Sequence, residues 1–363
     1  MERGLDPLVR ANAIALFSEK KRQINTYRHT EKEIIMLTKI KVTPLAAESL
    51  GVRSMCTLVE TPDVTVLLDA GISLAPYRYH LLPHPIEFAT IAKLRMNIAE
   101  AAKKAQVVTI SHYHFDHHTP SYEDWVVNWT KKGETARQIY QEKTVLMKNP
   151  KENINASQRQ RAWMFQKTGG KHARKLIAAD GQTINFGNTT VGFSDAVPHG
   201  PEDSTLGWVI MTTIKCGGER FMHAPDVQGP MADGTTQLIK GEKPDLLMIG
   251  GPAFHLGNFK VSETQIQKGI KHLQSIVELV PITIMEHHAL RDAAWHKKAE
   301  AVYMTARNSG TLLLTAAEYR GEENTFLESA RKQLYAEHPP SDEFRRWTQI
   351  DSNRISLVKP FIQ

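Results

Sequence analysis

The chain of 363 residues is 41% hydrophobic and 23% charged, values that allow a globular protein with a large core. Its two cysteines, Cys56 and Cys216, exclude a disulfide framework and a thiolate zinc site. The net charge is +6, and no apolar run approaches the roughly 20 residues that a membrane-spanning helix needs, so we expect a cytoplasmic protein without membrane contact.

The N-terminal residues 1–36 are polar, basic and only weakly periodic. We interpret them as an extension that is either loosely ordered or the product of a start codon assigned too early. The remaining residues, 37–363, are predicted to form a single domain.

The first predicted strands form a hairpin. The apolar runs 54–60 and 64–68 flank a Thr-Pro-Asp turn, and the second run ends at Asp69. Residues 91–105 have helical periodicity, and the buried-strand pattern of residues 107–110 leads directly into a histidine cluster.

Residues from about 119 to 176 are interpreted as a basic, partly helical insert. Between positions 131 and 175, 12 Lys and Arg residues stand against three Asp and Glu residues, a local net charge of +9 that leaves −3 for the rest of the chain. Aromatic residues are interleaved with the basic ones. This pattern predicts a groove for an anionic or nucleic-acid substrate, and a cap with inward aromatics and solvated charges is the alternative.

The β pattern then returns and is again followed by helices. Hairpins are expected around Gly187-Asn188 and Gly217-Gly218. Strands are predicted at 245–249 and 282–285, helices at 261–279 and 293–309, and a helical tail from about residue 316. Two β-rich stretches, each followed by helix, predict a layered α/β domain.

The histidine cluster carries the clearest chemical signal. His112, His114, Asp116 and His117 lie within six residues, directly after a predicted strand. Side chains two residues apart in an extended segment point the same way, so His112 and His114 can bind one ion. A turn would bring Asp116 and His117 to a second ion. Imidazole and carboxylate ligands suit zinc, iron or manganese.

Further metal-type side chains follow other apolar strands. They are Asp69, His199, Asp226 and the pair His287-His288. In a layered α/β domain the loops after the strands converge at one edge, where ligands bind.

The order Asp, His-x-His-x-Asp-His, His, Asp, His resembles the metallo-β-lactamase superfamily over roughly residues 39–310. The segments 44–54 and 82–87 resemble an archaeal branch of it, known only as predicted metal-dependent hydrolases. The resemblance implies a four-layer αββα sandwich with two metals at one edge.

The resemblance also implies a role for each residue. His112, His114 and His199 would hold the first metal, and Asp116, His117 and His287 the second. Asp226 would bridge the two metals, and Asp69 would orient a ligand histidine. The spacing to Arg291 favours His287 as the metal ligand, and His288 is the alternative. His118 is expected either to contact a metal ligand without binding the metal or to be exposed to solvent. His84, in a stiff loop, and Arg291 are candidate substrate-binding residues.

The implied activity is hydrolysis. Two divalent ions, Zn²⁺ first and Fe or Mn as alternatives, would share a water and make hydroxide available for attack on an ester, lactone, amide or phosphodiester. Asp116 and Asp226 are then the catalytic carboxylates. A small anionic or phosphodiester substrate is expected, and a homo-oligomer is compatible with the sequence. The alternatives are a nuclease acting on RNA or DNA, and a non-hydrolytic di-iron or nucleic-acid-binding protein with the same fold.

Overall fold

Two β-sheets, of six and seven strands, form the centre of the fold. The computed structural model describes residues 37–256, 261–351 and 354–362, and the predicted N-terminal extension lies outside them. Within these residues the chain forms fifteen strands and ten α-helices. No helix of the described part has the length and apolar character needed to cross a bilayer.

The strands of the first sheet lie side by side in chain order. The first three pair antiparallel, including the predicted hairpin, and the last three extend the sheet in parallel. The strands are β1 (Lys41–Ala47), β2 (Met55–Glu60), β3 (Thr65–Leu68), β4 (Val107–Ile110), β5 (Thr144–Met147) and β6 (Lys175–Ala178).

The segment interpreted as an insert belongs in part to this sheet. Strand β5 pairs with β4, and β6 pairs with β5, both in parallel. The interpretation of residues 119–176 as an insert is therefore corrected. Each of these strands is only four residues long, and a run this short cannot be distinguished from helix or loop by periodicity.

The second sheet has the spatial order β15-β14-β13-β12-β11-β8-β7, and strands β12 to β15 are parallel. Strands β9 (Val197–Pro198) and β10 (Trp208–Val209) form a separate ribbon. The sheet strands are β7 (Thr183–Phe186), β8 (Thr189–Phe193), β11 (Thr212–Cys216), β12 (Glu219–Ala224), β13 (Leu246–Gly250), β14 (Ile282–Glu286) and β15 (Leu312–Leu314).

The helices begin and end at recognisable caps. Ser262 accepts the amide of Gln265 and caps the helix predicted at 261–279, and the helix predicted at 293–309 is divided at Ala299. They are α1 (Pro85–Lys104), α2 (Glu134–Tyr140), α3 (Ala156–Lys167), α4 (Asp233–Glu242), α5 (Glu263–Val277), α6 (Trp295–Lys298), α7 (Glu300–Ser309), α8 (Ala316–Tyr319), α9 (Arg331–Glu337) and α10 (Asp342–Trp347).

The layers follow from the alternation of side chains along the strands. Between the sheets, Oγ1 of Thr57 lies 3.1 Å from Sδ of Met248, and the ring of His223 contacts the carbonyl of Met55. On the outer face of the second sheet, Leu247 and Ile249 share a buried cluster with apolar residues of α5. Helix α1 packs on β1 and β3. The protein is thus a four-layer αββα sandwich of the metallo-β-lactamase type.

Candidate metal centre

The metal-type side chains all follow strands. Asp69 follows β3, the segment from His112 follows β4, His199 follows β9, Asp226 follows β12 and His287 follows β14. Three of them hold positive φ, 45° at Asp69, 51° at Asp226 and 66° at His287. A non-glycine residue adopts this conformation at a cost in free energy, and such residues concentrate at functional sites.

Two glycines allow the loops to approach closely. A Cβ atom at Gly71 would lie 2.3 Å from the backbone nitrogen of His118 and 2.4 Å from that of His117. A Cβ atom at Gly250 would lie 2.8 Å from the nitrogen of Asp226. Any side chain at these positions would displace a loop that carries candidate ligands.

One group consists of His112, His114 and His199. The ring centroids lie 4.5 Å apart for His112 and His114, 5.2 Å for His112 and His199, and 5.0 Å for His114 and His199. Together with Asp226 they offer four ligand atoms within 4.8 Å of one another. The structure brings together the residues that were expected to hold a first metal.

A second group consists of Asp116, His117 and His287, whose ligand atoms also lie within 4.8 Å of one another. Nε2 of His287 is 3.2 Å from Nε2 of His117 and 3.5 Å from Oδ2 of Asp116. These are the three residues that were expected to hold a second metal.

Asp226 lies between the two groups. Its Oδ2 atom is 2.8 Å from Nε2 of His199 and 3.3 Å from Nε2 of His112. Its Oδ1 atom is 2.9 Å from Nε2 of His287 and 3.2 Å from Nε2 of His117. Each oxygen therefore faces a different group, as a bridging carboxylate requires.

The cluster fits metal cations. Nε2 of His112, Nε2 of His199 and Oδ1 of Asp226 are buried and form no hydrogen bond with any described residue. Their close approaches lack hydrogen-bonding geometry, and a buried polar atom without a partner is costly. Lone pairs of imidazole and carboxylate that converge on one point are satisfied by a cation.

Buried carboxylates orient the histidines of the second group. Oδ2 of Asp69 lies 2.8 Å from Nδ1 of His117, and Oδ1 of Asp69 accepts the amide of Ser111 at 2.8 Å. Oε2 of Glu48 lies 3.0 Å from Nδ1 of His287. In both histidines Nδ1 is held by a carboxylate, which directs Nε2 into the cluster.

His287 and His288 occupy different positions. Their rings stack with centroids 4.7 Å apart, but only His287 contacts Asp116 and His117. Nε2 of His288 lies 3.8 Å from Oδ2 of Asp226, and its ring is 5.8 Å from that of His199. His287 therefore belongs to the second group, and His288 lies on the side of the first.

Burial and neighbouring charges shift the pKa values of residues in the cluster. Burial, followed by the His117 and His114 rings, holds the pKa of His112 well below its ordinary value. Burial disfavours protonation of His117, but the carboxylates of Asp226 and Asp69 outweigh it and hold its pKa well above the ordinary value. Burial also disfavours ionisation of Asp226, yet His287 and His117 hold its pKa well below the usual range. Asp226 is thus an anion. Of the histidines beside it, His112 favours the neutral form and His117 favours the protonated form.

Arg291 lies beside the second group. Its Nε atom donates to Glu48 at 2.7 Å, and Nη2 lies 3.3 Å from Oδ2 of Asp116. This position is compatible with the expected contact to substrate.

His84 has a structural position instead. Its Nδ1 atom accepts the amide of Ile86 at 3.2 Å, which caps α1, and Nε2 donates to the carbonyl of His338 at 2.8 Å. The ring is buried, so neither nitrogen is free for a ligand. The expectation that His84 binds substrate is corrected: the X-Pro loop that suggested it serves to start a helix.

His118 faces away from the candidate metal ligands. Its Nδ1 atom bonds to the carbonyl of His114 at 2.9 Å, and its ring packs beside those of Phe115 and Phe165. It therefore supports the backbone of the loop, and it touches a ligand residue only through this carbonyl.

Glu48 is a site residue that sequence reasoning missed. It follows strand β1 directly, as the other candidates follow their strands, so the same rule could have found it. The signal was weak because a glutamate in a short 3-10 turn is common on protein surfaces, and nothing local shows that Glu48 is buried.

The chain has close relatives in archaea. It is 41% identical over 302 residues to the UPF0282 protein of Methanopyrus kandleri, a match that covers 82% of this chain and 100% of the relative. It is 40% identical over 296 residues to the UPF0282 protein of Methanocaldococcus jannaschii, covering 81% and 96%. No protein-family model matches the chain.

Solved structures with similar folds are far more distant. The metallo-β-lactamase fold protein YhfI of Bacillus subtilis is 16% identical, with a TM-score of 0.44 over 77% of this chain and 96% of that one. Zinc-bound PqqB of Methylobacterium extorquens is 12% identical, with a TM-score of 0.40 over 76% and 97%. Both TM-scores are below 0.5, so the fold assignment rests on the sheet order and the layering described above.

Proposed function

This chain belongs to the UPF0282 family, and from its buried cluster we propose that it is a metal-dependent hydrolase with two metal ions. The observation that carries the proposal is the position of Asp226, whose two oxygens face two separate groups of histidines. A single structural ion would need only one such group.

The donor set favours zinc. The proposed first site is three imidazoles and a carboxylate oxygen, and the second adds Asp116 to two imidazoles and the other oxygen of Asp226. Neither site contains a thiolate. Zn²⁺ is the best match, and the same ligands suit iron or manganese. When bound, two such ions lower the pKa of a water molecule and stabilise negative charge on a substrate oxygen.

The chain's own residues determine where substrate approaches. The side chains of His114 and Asp116 are 25% and 15% exposed, whereas those of His112, His117 and His287 are fully buried. The open side of the cluster is therefore the side of His114 and Asp116. Arg291, next to Asp116, would bind and orient a negatively charged oxygen there. An ester, lactone or phosphodiester with an anionic group suits this arrangement.

A nuclease is the second candidate, and the basic segment 131–175, with its local net charge of +9, favours it. Nucleic-acid affinity that falls steeply with salt would support this alternative, and absence of binding at low salt would remove it.

The direct test combines metal analysis with a substrate panel. Protein loaded with Zn²⁺, Mn²⁺ or Fe²⁺ is assayed on esters, lactones and phosphodiesters, and its metal content is measured by plasma mass spectrometry. We expect about two metals per chain and hydrolysis of at least one class.

Two variants serve as controls. Asp226→Asn should lose metal and reduce kcat/KM by at least about 100-fold, whereas Asp233→Asn, at the start of surface helix α4, should change neither. Two redox-active irons without hydrolysis of any substrate would refute the hydrolase proposal, and so would full activity of Asp226→Asn.

A further inference from the structure

A cavity of about 430 Å³ lies directly behind the His112–His118 loop. This volume lies within the range of small-molecule sites, roughly 300–1,000 Å³. Its walls come from the segment after the metal ligands and from one face of α3. The lining residues on which the inference depends are Phe115, Tyr122, Lys132, Arg161, Met164 and Phe165.

The charge of the cavity is uncompensated. Lys132 and Arg161 line it, and no Asp or Glu does. Within the described ranges, no salt bridge is formed by Arg161, whose guanidinium carbon lies 4.9 Å from the ring centroid of Phe115. A cationic wall without a carboxylate is the electrostatic complement of an anion.

Two arginines elsewhere in the fold differ in this respect. Arg53 and Arg331 bond to Glu328 and Glu87, respectively, at 2.6–2.7 Å. Their charges are already neutralised inside the fold. Arg161 is therefore better suited than these arginines to bind an external anion.

Aromatic and apolar side chains form another part of the wall. The rings of Phe115 and Tyr122 meet edge to face at 5.4 Å, and Met164 and Phe165 lie on the helix side. The hydroxyl of Ser121, also in the wall, has no hydrogen-bond partner among the described residues. Aromatic walls favour a planar ring, and the hydroxyl offers one directional contact.

The cavity and the metal cluster are built from the same short segment. Phe115 stands in the chain between His114 and Asp116, the two most exposed members of the cluster. His118, the next residue after the ligand His117, lines the cavity. The cavity is therefore lined by residues that are direct chain neighbours of the candidate ligands His114, Asp116 and His117.

We propose that this cavity binds the planar, aromatic part of a small anionic substrate, with Arg161 and Lys132 as the residues that recognise its charge. The identification of the ligand as substrate rests on the proposed hydrolase function. Binding itself does not, because none of the six residues is a candidate metal ligand.

The test uses the full chain without metal and 1-anilinonaphthalene-8-sulfonate, a fluorescent anion with aromatic rings. We expect one saturable site. Arg161→Met should weaken its Kd about tenfold, as loss of one charged contact predicts, and Arg159→Met, on the same helix outside the cavity, should leave it unchanged. Lys132→Met and Lys131→Met form a second matched pair, because Lys131 is paired with Glu134. Equal effects within each pair would overturn the proposal.

Competition identifies the ligand class. 4-Nitrophenyl phosphate should displace the probe, whereas inorganic phosphate at the same concentration should not. Displacement only by single-stranded RNA, with a steep salt dependence, would overturn the small-molecule assignment in favour of a nucleic-acid surface.

Activity measurements separate the two proposals. If no hydrolysis is found but the probe binds at the Arg161 site, the hydrolase function fails and the binding site stands. If bis(4-nitrophenyl) phosphate is hydrolysed, Arg161→Met should raise KM more than Arg159→Met does. Equal KM values would overturn the role of the cavity in substrate recognition.

Discussion

Two imidazole rings of the cluster, those of His117 and His287, are oriented by carboxylates behind them. Asp69 holds Nδ1 of His117, and Glu48 holds Nδ1 of His287. In each case the opposite nitrogen points at Asp226. A ring fixed in this way loses little entropy when it binds a metal, so removal of the carboxylate should weaken metal binding even though the ligand itself remains.

The two adjacent histidines can be distinguished by matched variants. Because His287 lies at φ 66°, asparagine is the suitable replacement, since it tolerates this conformation better than most residues. His287→Asn should reduce the metal content from about two ions to about one, and His288→Asn should retain both. Metal stoichiometry after dialysis measures the difference. The opposite pattern would assign the ligand to His288.

Metal binding should release protons below about pH 8. Burial lowers the pKa of His287, but Asp226 and Glu48 outweigh it and raise the pKa to about 8 in the metal-free protein. A metal binds only the neutral imidazole, so its affinity should fall as the pH drops below 8, by about tenfold per pH unit for each proton displaced. Calorimetry in buffers of different ionisation enthalpy counts these protons.

The raised pKa of His287 also makes the stability of the metal-free fold depend on pH. A raised pKa stabilises the metal-free fold at pH values below the ordinary histidine pKa of about 6.5. This contribution is lost as the pH rises through about 8. His287→Asn should flatten the pH dependence of unfolding between these limits. An unchanged pH dependence in that variant would contradict the assignment.

At the scale of elements, a buried ion pair joins the C-terminal helix α9 to helix α1. Arg331, at the start of α9, bonds twice to Glu87 of α1 at 2.7 Å, and it also donates to the carbonyls of Leu81 and Ala75. Both charged side chains are fully buried. His84 caps the same end of α1 and contacts the tail at His338.

Breaking this pair should be costly. Arg331→Met leaves the Glu87 carboxylate buried without its cation, so we expect a loss of about 3–5 kcal/mol in the free energy of unfolding. The double variant with Glu87→Gln should recover part of the loss. Arg346→Met, which removes an exposed pair on α10, should cost less than about 1 kcal/mol. Denaturant titration compares them, and similar losses for Arg331→Met and Arg346→Met would contradict a role for the pair in attaching the tail.

At the scale of the whole molecule, the cluster of candidate metal ligands connects the two sheets. Asp69 and His112 lie in loops that follow strands of the first sheet. Asp226 and His287 lie in loops that follow strands of the second sheet. Occupied metal sites would therefore link both halves of the sandwich, and their loss should affect global unfolding rather than one loop.

Chelation should therefore destabilise the entire domain. With free metal at about a thousand times its Kd, binding stabilises the folded state by about 4 kcal/mol. We expect a chelator to lower the midpoint of thermal unfolding measurably, and re-addition of Zn²⁺ to restore it. In Asp226→Asn the chelator should have a smaller effect. Equal chelator effects in both proteins would show that the stabilising metal binds elsewhere.

Local pattern in the sequence was sufficient for much of the fold and for the chemistry of the site. The hairpins β2–β3, β7–β8 and β11–β12 were predicted, because alternation and turn residues act between chain neighbours. The type and order of the candidate ligands, with their positions after strands, could be listed for the same reason.

Only the tertiary structure decided which of these groups meet. Glu48 and His287 are 239 residues apart in the chain, and His84 contacts a residue 254 positions away. The short strand β5 joins the sheet at the edge of β4, and β6 joins it at the edge of β5, which no local signal shows. Side-chain type and periodicity are properties of the sequence. Burial and hydrogen-bond partners depend on how distant segments pack, and they distinguish Glu48, which orients a histidine, from a surface glutamate.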